Sequence, residues 1–522
     1  MNQSQANFSK QDSATGKVES ISDGICVISG INRVAIDSVV SFPSGCTGWV
    51  IDFDNEYCSA LVFGDFTTIK KGDYARVVED QLKVPVGDEL LGRIIDPLGN
   101  PMDEKGAVLC KEEVTLENKN KNVFERRGIT EQLETGYVLI DSQIPIGKGQ
   151  RELFIGEKRI GKEETASNIF INQAANSPDM IVIFVTIGAQ TSFVKRVVES
   201  IAKTNAGKNT LVVVGRASDS ASLNYLAPLS AIRIAEEFAS RGKDVLIIFD
   251  NMTRHARIYR QISLLLKRAP GREAYPGDIF YLHAKLLERC GRFGDEVGGG
   301  SITAIPIVET VGEDITDYIT TNLMSITDGH VLFLRSLYHK DRRPAISVEY
   351  SVSRIGGRAQ KAVFRDLSNE LKTKIGRFNE LEALANFGAE LQKETAEIIE
   401  RGKRIFAFIN QDRSTNIRID EQCAVIYLLL SDYILGWPSE AMGDLMVGFL
   451  KFLSRPENIQ KITNAFAKES LVEAKQIYEE LSKAFYDDTE TIRPLSRGEK
   501  PADKESLNDL LKQMEQTSAD TR

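Results

Sequence analysis

The chain has 522 residues, of which 42% are hydrophobic and 27% charged, and its formal net charge is −9. This length and composition predict large buried cores and about three domains. The acidic balance and the lack of a long basic run argue against nucleic-acid binding, and no apolar run reaches the ~20 residues that span a bilayer. The polar start of the chain has no apolar signal segment, so we expect a protein that is neither secreted nor inserted.

The first part of the chain has the pattern of a small β-domain. Residues 1–15 are polar, and we expect them to be a disordered N-terminal segment. From 16 to 88, short β-rich runs such as 24–28 and 59–63 alternate with glycine turns. This spacing predicts an N-terminal β-barrel.

The remainder of the chain divides into two regions with different sequence patterns and a tail. From 89 to 366, apolar strand-like runs alternate with amphipathic segments, which predicts an α/β nucleotide-binding domain of the phosphate-loop (RecA-like) type with a mostly parallel sheet. From 367 to 492, charged helical periodicity predicts an α-helical C-terminal domain. Residues 493–522 form a charged tail that is poor in aromatic side chains.

A glycine-rich loop lies in the central region, at residues 156–163, with the sequence Gly-Glu-Lys-Arg-Ile-Gly-Lys-Glu. It follows a strand-like run at 152–155 and precedes helical spacing, which is the layout that cradles phosphates with backbone N–H groups. That design needs Ser or Thr after the lysine to hold Mg²⁺, but Glu163 stands there and Glu164 follows. Two carboxylates beside a triphosphate repel it. The candidate phosphate-binding residues are Gly156, Gly161, Lys162 and Glu163.

Two further motifs carry chemistry in nucleotide-binding proteins. The apolar run 245–249 ends in Asp250, which is where such a protein holds Mg²⁺ through water; the ordinary alternative is an aspartate that caps a loop. Arg354 lies beside small residues and glycines in the run 350–357, so it could approach a neighbour's phosphates closely. From spacing alone, a salt-bridged surface arginine is the better explanation of that position.

Longer runs carry a family resemblance. They are Arg-Glu-Leu at 151–153, Tyr-Arg-Gln-Ile-Ser-Leu-Leu-Leu at 259–266, Pro-Gly-Arg-Glu-Ala-Tyr-Pro-Gly-Asp at 270–278, Ser-Ile-Thr-Asp-Gly at 325–329, Arg343-Pro344, and Ser-Val-Ser-Arg at 351–354. From about residue 16 to 453, the chain resembles the α, non-catalytic subunits of F-type ATP synthases. The resemblance implies a hexamer of alternating α-type and β-type chains around a rotating shaft, with a barrel crown, a nucleotide domain and a helical domain.

The resemblance also implies roles for single residues. Arg354 matches the arginine finger that enters the catalytic site of the neighbouring β-type subunit, and Ser325 matches a second residue facing that site. Lys162 matches the phosphate-binding lysine of the α subunit's own site, and Asp250 its magnesium-side carboxylate. The adenine-side positions of that site match Arg343, Pro344 and Gln411.

Several positions depart from the family pattern. Ile160 and Glu163 stand where the family has threonine, so both hydroxyls near the phosphates are lost. Ala189 stands where a catalytic β subunit has the glutamate that polarises water, and Arg413 replaces a second adenine-side glutamine. The family's N-terminal helix, which docks the peripheral stalk, is not evident in the sequence. We therefore expect the chain not to hydrolyse ATP itself and its own nucleotide site to be empty or weakly occupied.

The predicted function is therefore that of a non-catalytic α-type subunit of a rotary ATPase or ATP synthase, with ATP or ADP and Mg²⁺ bound at the interface catalytic site. Its expected partners are β-type catalytic subunits and a central γ-type shaft, in a complex that other subunits attach to the inner face of the cell membrane. One alternative is an α-like subunit of a specialised F-like motor, for example gliding machinery, that hydrolyses ATP without synthesising it. A standalone hexameric ATPase or helicase would need an intact phosphate loop, which this chain lacks.

Overall fold

The computed structural model describes residues 14–54, 56–203, 206–386, 393–411 and 415–489. Arg413, most of the predicted disordered segment 1–15, and the predicted tail 493–522 lie outside these residues. The chain divides into two compact units, the first made of Met1–Ile129 and Lys148–His330 and the second of Thr130–Gly147 and Val331–Arg522. Within the described ranges, no helix is both long and apolar enough to cross a membrane.

The elements are numbered in chain order. The strands are β1 (Thr15–Ser22), β2 (Ile25–Ser29), β3 (Val39–Ser41), β4 (Thr47–Phe53), β5 (Tyr57–Phe63), β6 (Tyr74–Glu79), β7 (Lys83–Val86), β8 (Arg93–Ile95), β9 (Glu112–Thr115), β10 (Gln132–Leu133), β11 (Ile146–Gly147), β12 (Glu152–Gly156), β13 (Ile181–Ala189), β14 (Thr210–Arg216), β15 (Asp244–Asp250), β16 (Gly291–Arg292), β17 (Ser301–Glu309), β18 (Gly329–Phe333) and β19 (Ile346–Ser353). The α-helices are α1 (Val138–Gln143), α2 (Lys162–Asn176), α3 (Thr191–Lys203), α4 (Ala221–Ser240), α5 (Met252–Leu265), α6 (Ile279–Leu287), α7 (Tyr318–Ile326), α8 (Arg335–His339), α9 (Ala362–Asn386), α10 (Lys393–Phe408), α11 (Ile419–Leu430), α12 (Met442–Leu453), α13 (Pro456–Ala467) and α14 (Leu471–Asp488).

A closed barrel of strands opens the first unit, in the order β1-β2-β5-β4-β3-β6. Side chains alternate between its interior and its surface because strand residues have a period of two. The interior is filled mainly by small and branched residues, among them Val18, Ile28, Val40, Val50, Ala60 and Val62, together with the aromatic ring of Phe42. The predicted N-terminal β-barrel is confirmed.

The remainder of the first unit is built around a parallel sheet, in the order β12-β17-β15-β13-β14-β8. Its central strands are buried on both faces, which is why they read as continuous apolar runs in the sequence. Helix α4 packs against β13 and β15. Because all these strands run in the same direction, the carboxyl ends of β12, β13, β15 and β17 meet at one edge, where ligands bind in open α/β sheets. The predicted α/β domain is confirmed.

The second unit contains α1, the short pair β10 and β11, the adjacent strands β18 and β19, and helices α8 to α14. Strand β18 straddles the boundary between the units. After β19, the described part of the unit contains only helices and their connections. Their apolar faces bury the large aromatic side chains of Phe364, Phe378, Phe408 and Phe449. The predicted helical C-terminal region is confirmed.

Candidate functional site

The glycine-rich loop connects β12 to α2, as the sequence predicts. Gly161 precedes the first residue of α2 and has φ of +96°, in the left-handed region that favours glycine. A Cβ at this position would meet no atom within 4 Å, so it is the backbone angle that requires glycine. The helix then begins at Lys162, with Glu163 and Glu164 in its first turn.

The side chain of Lys162 contacts groups of its own loop. Its ammonium group donates a 2.8 Å hydrogen bond to the carbonyl oxygen of Glu157 and a 2.5 Å hydrogen bond to Oε1 of Glu163. The lysine is fully buried, and its ion pair with Glu163 is therefore shielded from water. The cation that a phosphate loop presents to its ligand is engaged by a carboxylate of the chain itself.

A second carboxylate lies at the end of β15, where the sequence predicts it. Asp250 is buried, and within the described residues its Oδ1 accepts no hydrogen bond. Burial raises its pKa to about 7, and the negative charges of Glu163 and Glu309 act in the same direction, whereas Arg254 and Lys162 oppose them. The charges of Lys162 and Glu163 therefore act on Asp250, which places its carboxylate near the loop. A cation bound nearby would stabilise the ionised form of this carboxylate.

Glu309, at the end of β17, is a site residue that the sequence analysis missed. Its carboxylate accepts a hydrogen bond from Asn251 at 2.7 Å and one from Arg254 at 3.1 Å, and Lys158 of the loop lies 3.4 Å away. Burial raises the pKa of Glu309, but the positive charges of Arg254, Lys162 and Lys158 outweigh it and hold the pKa below its usual value. Like Asp250, Glu309 ends an apolar strand, but this pattern alone does not separate it from a strand-end carboxylate that faces solvent.

Two of the positions that depart from the predicted family pattern, Ile160 and Ala189, are apolar and buried. Ile160 of the loop is 2% exposed, and Ala189 at the end of β13 is 1% exposed. Arg254 donates weak hydrogen bonds to the carbonyl oxygens of Ile187 and Gly188, at 3.4 and 3.5 Å, just before Ala189. At position 189, β13 thus offers a methyl group, which cannot accept a proton.

The three positions predicted to lie beside an adenine, Arg343, Pro344 and Gln411, are close together in the second unit. Gln411 is buried, and its side-chain amide bonds only backbone groups of the described chain, namely Val138 N, Gly136 O and Thr415 O at 2.8, 2.8 and 3.0 Å. Its backbone N–H donates to the carbonyl oxygen of Arg343 at 2.8 Å. The guanidinium of Arg343 stacks 3.8 Å from the ring centroid of Tyr338, and Pro344 is buried beside it. Gln411 thus links the backbone of Arg343 to the backbone of residues 136–138.

Arg354 is exposed and directly follows β19. Hydrogen bonds fix the backbone on either side of it. Ser353 Oγ donates to the carbonyl oxygen of Pro145 at 2.6 Å and accepts from the N–H of Gly356 at 3.2 Å. A Cβ at Gly356 would collide with the same Pro145 carbonyl, so only glycine fits there. This backbone presents Arg354 outward from a fixed turn.

Two apolar side chains share the exposed face of β19 with the arginine. Tyr350 is 56% and Val352 42% exposed, and the strand's period of two places them on the side of Arg354. On the opposite side, Ser351 Oγ accepts a hydrogen bond from the backbone N–H of Leu332 at 2.9 Å.

In the first unit, the predicted Ser325 lies exposed in the last turn of α7. Its hydroxyl donates a hydrogen bond to the carbonyl oxygen of Asn322 in the same helix at 2.6 Å.

Comparison with known proteins agrees with this architecture. Residues 136–353 match the model of the ATP synthase alpha/beta family, nucleotide-binding domain, and residues 360–487 match that of the ATP synthase alpha/beta chain, C terminal domain. Similar proteins include ATP synthase subunit alpha of Dehalococcoides mccartyi, 38% identical over 88% of this chain and 91% of that protein. The proteins of the same description from Mycoplasmopsis synoviae and Caldanaerobacter subterraneus are 39% and 38% identical over 90% of this chain, and 88% and 95% of their own lengths are covered. The chain therefore belongs to the ATP synthase alpha/beta family.

Proposed function

We propose that the chain is the non-catalytic, α-type subunit of a rotary F-type ATPase or ATP synthase hexamer. The family match and the relatives described as ATP synthase subunit alpha support this assignment. The observation that carries it is the combination of two features: the lysine of the phosphate loop, Lys162, is paired with Glu163, and Arg354 is exposed. Such a chain can supply an arginine to the active site of a neighbouring subunit. It lacks the hydroxyls and the general base that hydrolysis at its own site would need.

Arg354 is the proposed contribution to catalysis. Placed in the active site of a neighbouring β-type subunit, its guanidinium would stabilise the charge that develops on the γ-phosphate, an effect worth about 10³–10⁵ in rate in phosphoryl-transfer enzymes. The support of Ser353 and Gly356 fits this role, because a finger fixed before the reaction loses little conformational freedom during it. Ser325 is the second residue proposed to face that site.

The chain's own nucleotide site is proposed to be degenerate. Mg²⁺ bound to ATP would need a hydroxyl at position 160 or 163, and the chain offers Ile160 and Glu163 instead. Asp250 would hold Mg²⁺ only through water. The Lys162–Glu163 pair supports this reading, since a phosphate would have to displace a buried carboxylate from the lysine. ATP or ADP with Mg²⁺ is therefore assigned to the interface catalytic site of the complex.

The same proposal covers the chain's organisation and its partners. The proposed domains are a crown barrel at 16–88, a nucleotide-binding domain at 89–366 and a helical domain at 367–492. The partners are β-type subunits alternating with this chain and a γ-type shaft, in a complex held at the inner face of the cell membrane by other subunits.

Purification of the native complex through a tag on this chain tests the proposal. Native mass spectrometry should find this chain and a β-type chain in equal copy number, together with one smaller shaft subunit. Recovery of a homo-hexamer of this chain with ATPase activity would contradict the proposal and favour the standalone ATPase. The other subunits recovered would separate a synthase, which carries membrane ion-transport subunits, from a specialised motor.

A further inference from the structure

A cavity of about 330 Å³ lies within the first unit, between the barrel and helices α4, α5 and α6, apart from the phosphate loop. Its volume is at the lower end of the range of ~300–1,000 Å³ that is typical of small-molecule sites. Trp49 of β4, Tyr225 of α4 and Tyr259 of α5 form its aromatic wall. The proposed function gives this cavity no role.

The aromatic rings of this wall are stacked on one another. The ring centroids of Trp49 and Tyr225 lie 5.8 Å apart with their planes at 26°, and those of Tyr225 and Tyr259 lie 5.5 Å apart at 12°. Tyr225 is 8% exposed, and its hydroxyl forms no hydrogen bond with any described residue. Because Tyr225 lines the cavity, its hydroxyl is available to a ligand there or to bound water.

The cations that line the cavity are already neutralised. Lys285 pairs with Glu117 at 2.7 Å, and Arg289 pairs with the half-buried Glu236, which lies outside the lining, also at 2.7 Å. Arg268 lies 3.2 Å from the carboxylate of Asp52. An anionic ligand would therefore have to break an existing ion pair to find a positive charge.

One carboxylate of the lining differs from the rest. Asp37 accepts a 3.1 Å hydrogen bond from Nε1 of Trp49, and none of the described cationic side chains forms an ion pair with it. Burial raises its pKa, and the negative charge of Glu117 raises it further, against the weaker opposing effect of Lys285. The cavity thus combines aromatic side chains with a carboxylate that forms no ion pair with any described side chain.

We propose that this cavity binds a small organic monocation with an aromatic body, such as a protonated aromatic amine. The ring of such a ligand would pack against the wall of Trp49 and Tyr225, and its ammonium group would pair with Asp37. Cations gain both from aromatic faces and from a poorly solvated carboxylate. The partnerless hydroxyl of Tyr225 lies on the same wall and would accept from the ammonium group or a second ligand donor.

The test is calorimetric titration of the full chain with 2-phenylethylamine, which is cationic at neutral pH, and with its neutral analogue 2-phenylethanol. We expect the amine to bind with a Kd of about 0.1–1 mM, ordinary for a ligand of this size, and the alcohol at least about tenfold more weakly because it lacks the charge. Asp37→Asn should remove that difference. Glu19→Gln, which removes a barrel carboxylate outside the cavity, should preserve it.

Three results would overturn the proposal. They are the absence of amine binding at millimolar concentrations, equal affinity for the amine and the alcohol, and an unchanged preference in Asp37→Asn. If that variant does not fold, the amine and alcohol comparison on the unmodified chain still decides. Quenching of Trp49 fluorescence by the amine, in a Trp437→Phe background that leaves one tryptophan, should follow the same titration curve, and unaltered emission at saturation would place the ligand elsewhere.

Discussion

The ammonium group of Lys162 donates a 2.5 Å hydrogen bond to the carboxylate of Glu163, the next residue in the chain. Glu163 stands where a phosphate loop has the Ser or Thr that holds Mg²⁺. Glu163 therefore offers no hydroxyl to a metal ion and instead forms an ion pair with the lysine of the loop. The loop keeps its backbone conformation, with Gly161 in the left-handed region, while its ligand-binding side chains are altered.

Restoring the two lost hydroxyls should reopen the site. We expect the double variant Ile160→Thr, Glu163→Thr to bind Mg-ATP at least about 10³-fold more tightly than the unmodified chain, since one like charge at ~4 Å costs about 4 kcal/mol at an effective dielectric of ~20. Equilibrium binding of a fluorescent ATP analogue to the isolated chain measures the change. Adding Lys162→Ala to the double variant should abolish the gain. Clear Mg-nucleotide density beside Lys162 in the unmodified complex, at catalytic-site occupancy, would refute the degenerate site.

The isolated chain should have no ATPase activity, whereas a complex with a β-type partner should hydrolyse ATP. The reason is that Ala189 offers no general base and Glu163 no hydroxyl for the metal. Phosphate release by the purified chain and by the complex gives the comparison. Robust turnover by the chain alone that disappears in Lys162→Ala would show this prediction to be wrong.

The strand–loop–helix unit could be predicted because its signals are local. An apolar run before the loop, a glycine at position 161 and helical spacing after it follow each other in the chain, and β12 and α2 lie where these signals place them. Asp250 was found for the same reason, at the end of an apolar strand. The barrel could be predicted from short strands separated by glycine turns, without knowing which strands pair.

Glu309 and Arg254 could not be found in this way, because their role depends on strand order. β17 lies between β12 and β15 although it is far from both in sequence, and this order brings Glu309 beside Asn251 and Lys158. Nothing local distinguishes Glu309 from a strand-end carboxylate facing solvent. The hydrogen bonds between the Gln411 amide and backbone groups could not be predicted either, because they depend on how the chain folds around α1.

Asp250 should destabilise the folded chain at neutral and higher pH. Its folded pKa of about 7 lies above the ordinary value of 3.8, so the folded state binds the proton more tightly, and this contribution to stability is lost as the pH rises from about 4 to 7. We expect Asp250→Asn to raise the free energy of unfolding by about 2 kcal/mol at pH 8 and to have little effect at pH 4. Urea unfolding at both pH values tests this, with the exposed Asp179→Asn as the control. A variant that is destabilised equally at both would contradict the assignment.

The buried histidine pair should impose the opposite pH dependence. His255 Nε2 faces the carbonyl oxygen of Tyr225 at 3.2 Å, and His255 Nδ1 lies 3.4 Å from His283 Nε2. A carbonyl only accepts, so His255 carries its proton on Nε2, and His283 must donate to the bare Nδ1. Burial lowers the pKa of His255 to about 4 and also lowers that of His283, where His255 adds to the effect.

A group whose folded pKa is depressed in this way stabilises the fold only above its unfolded pKa. Stability should therefore fall as the pH drops below about 6.5, by up to about 1.4 kcal/mol per pH unit for each histidine. The difference in unfolding free energy between the unmodified chain and His283→Asn, measured between pH 7 and 5, isolates one of them. A difference that stays constant over this range would refute the buried neutral pair.

The central claim is that Arg354 acts in the active site of a neighbouring subunit, and turnover of the reconstituted complex tests it most directly. Arg354→Ala should leave assembly intact and lower ATP turnover at least about 10²-fold, and Arg354→Lys should rescue it poorly because a point charge cannot bond bidentately. Arg365→Ala, which removes an exposed arginine of α9, should leave turnover unchanged. Full turnover by an assembled Arg354→Ala complex would contradict the account.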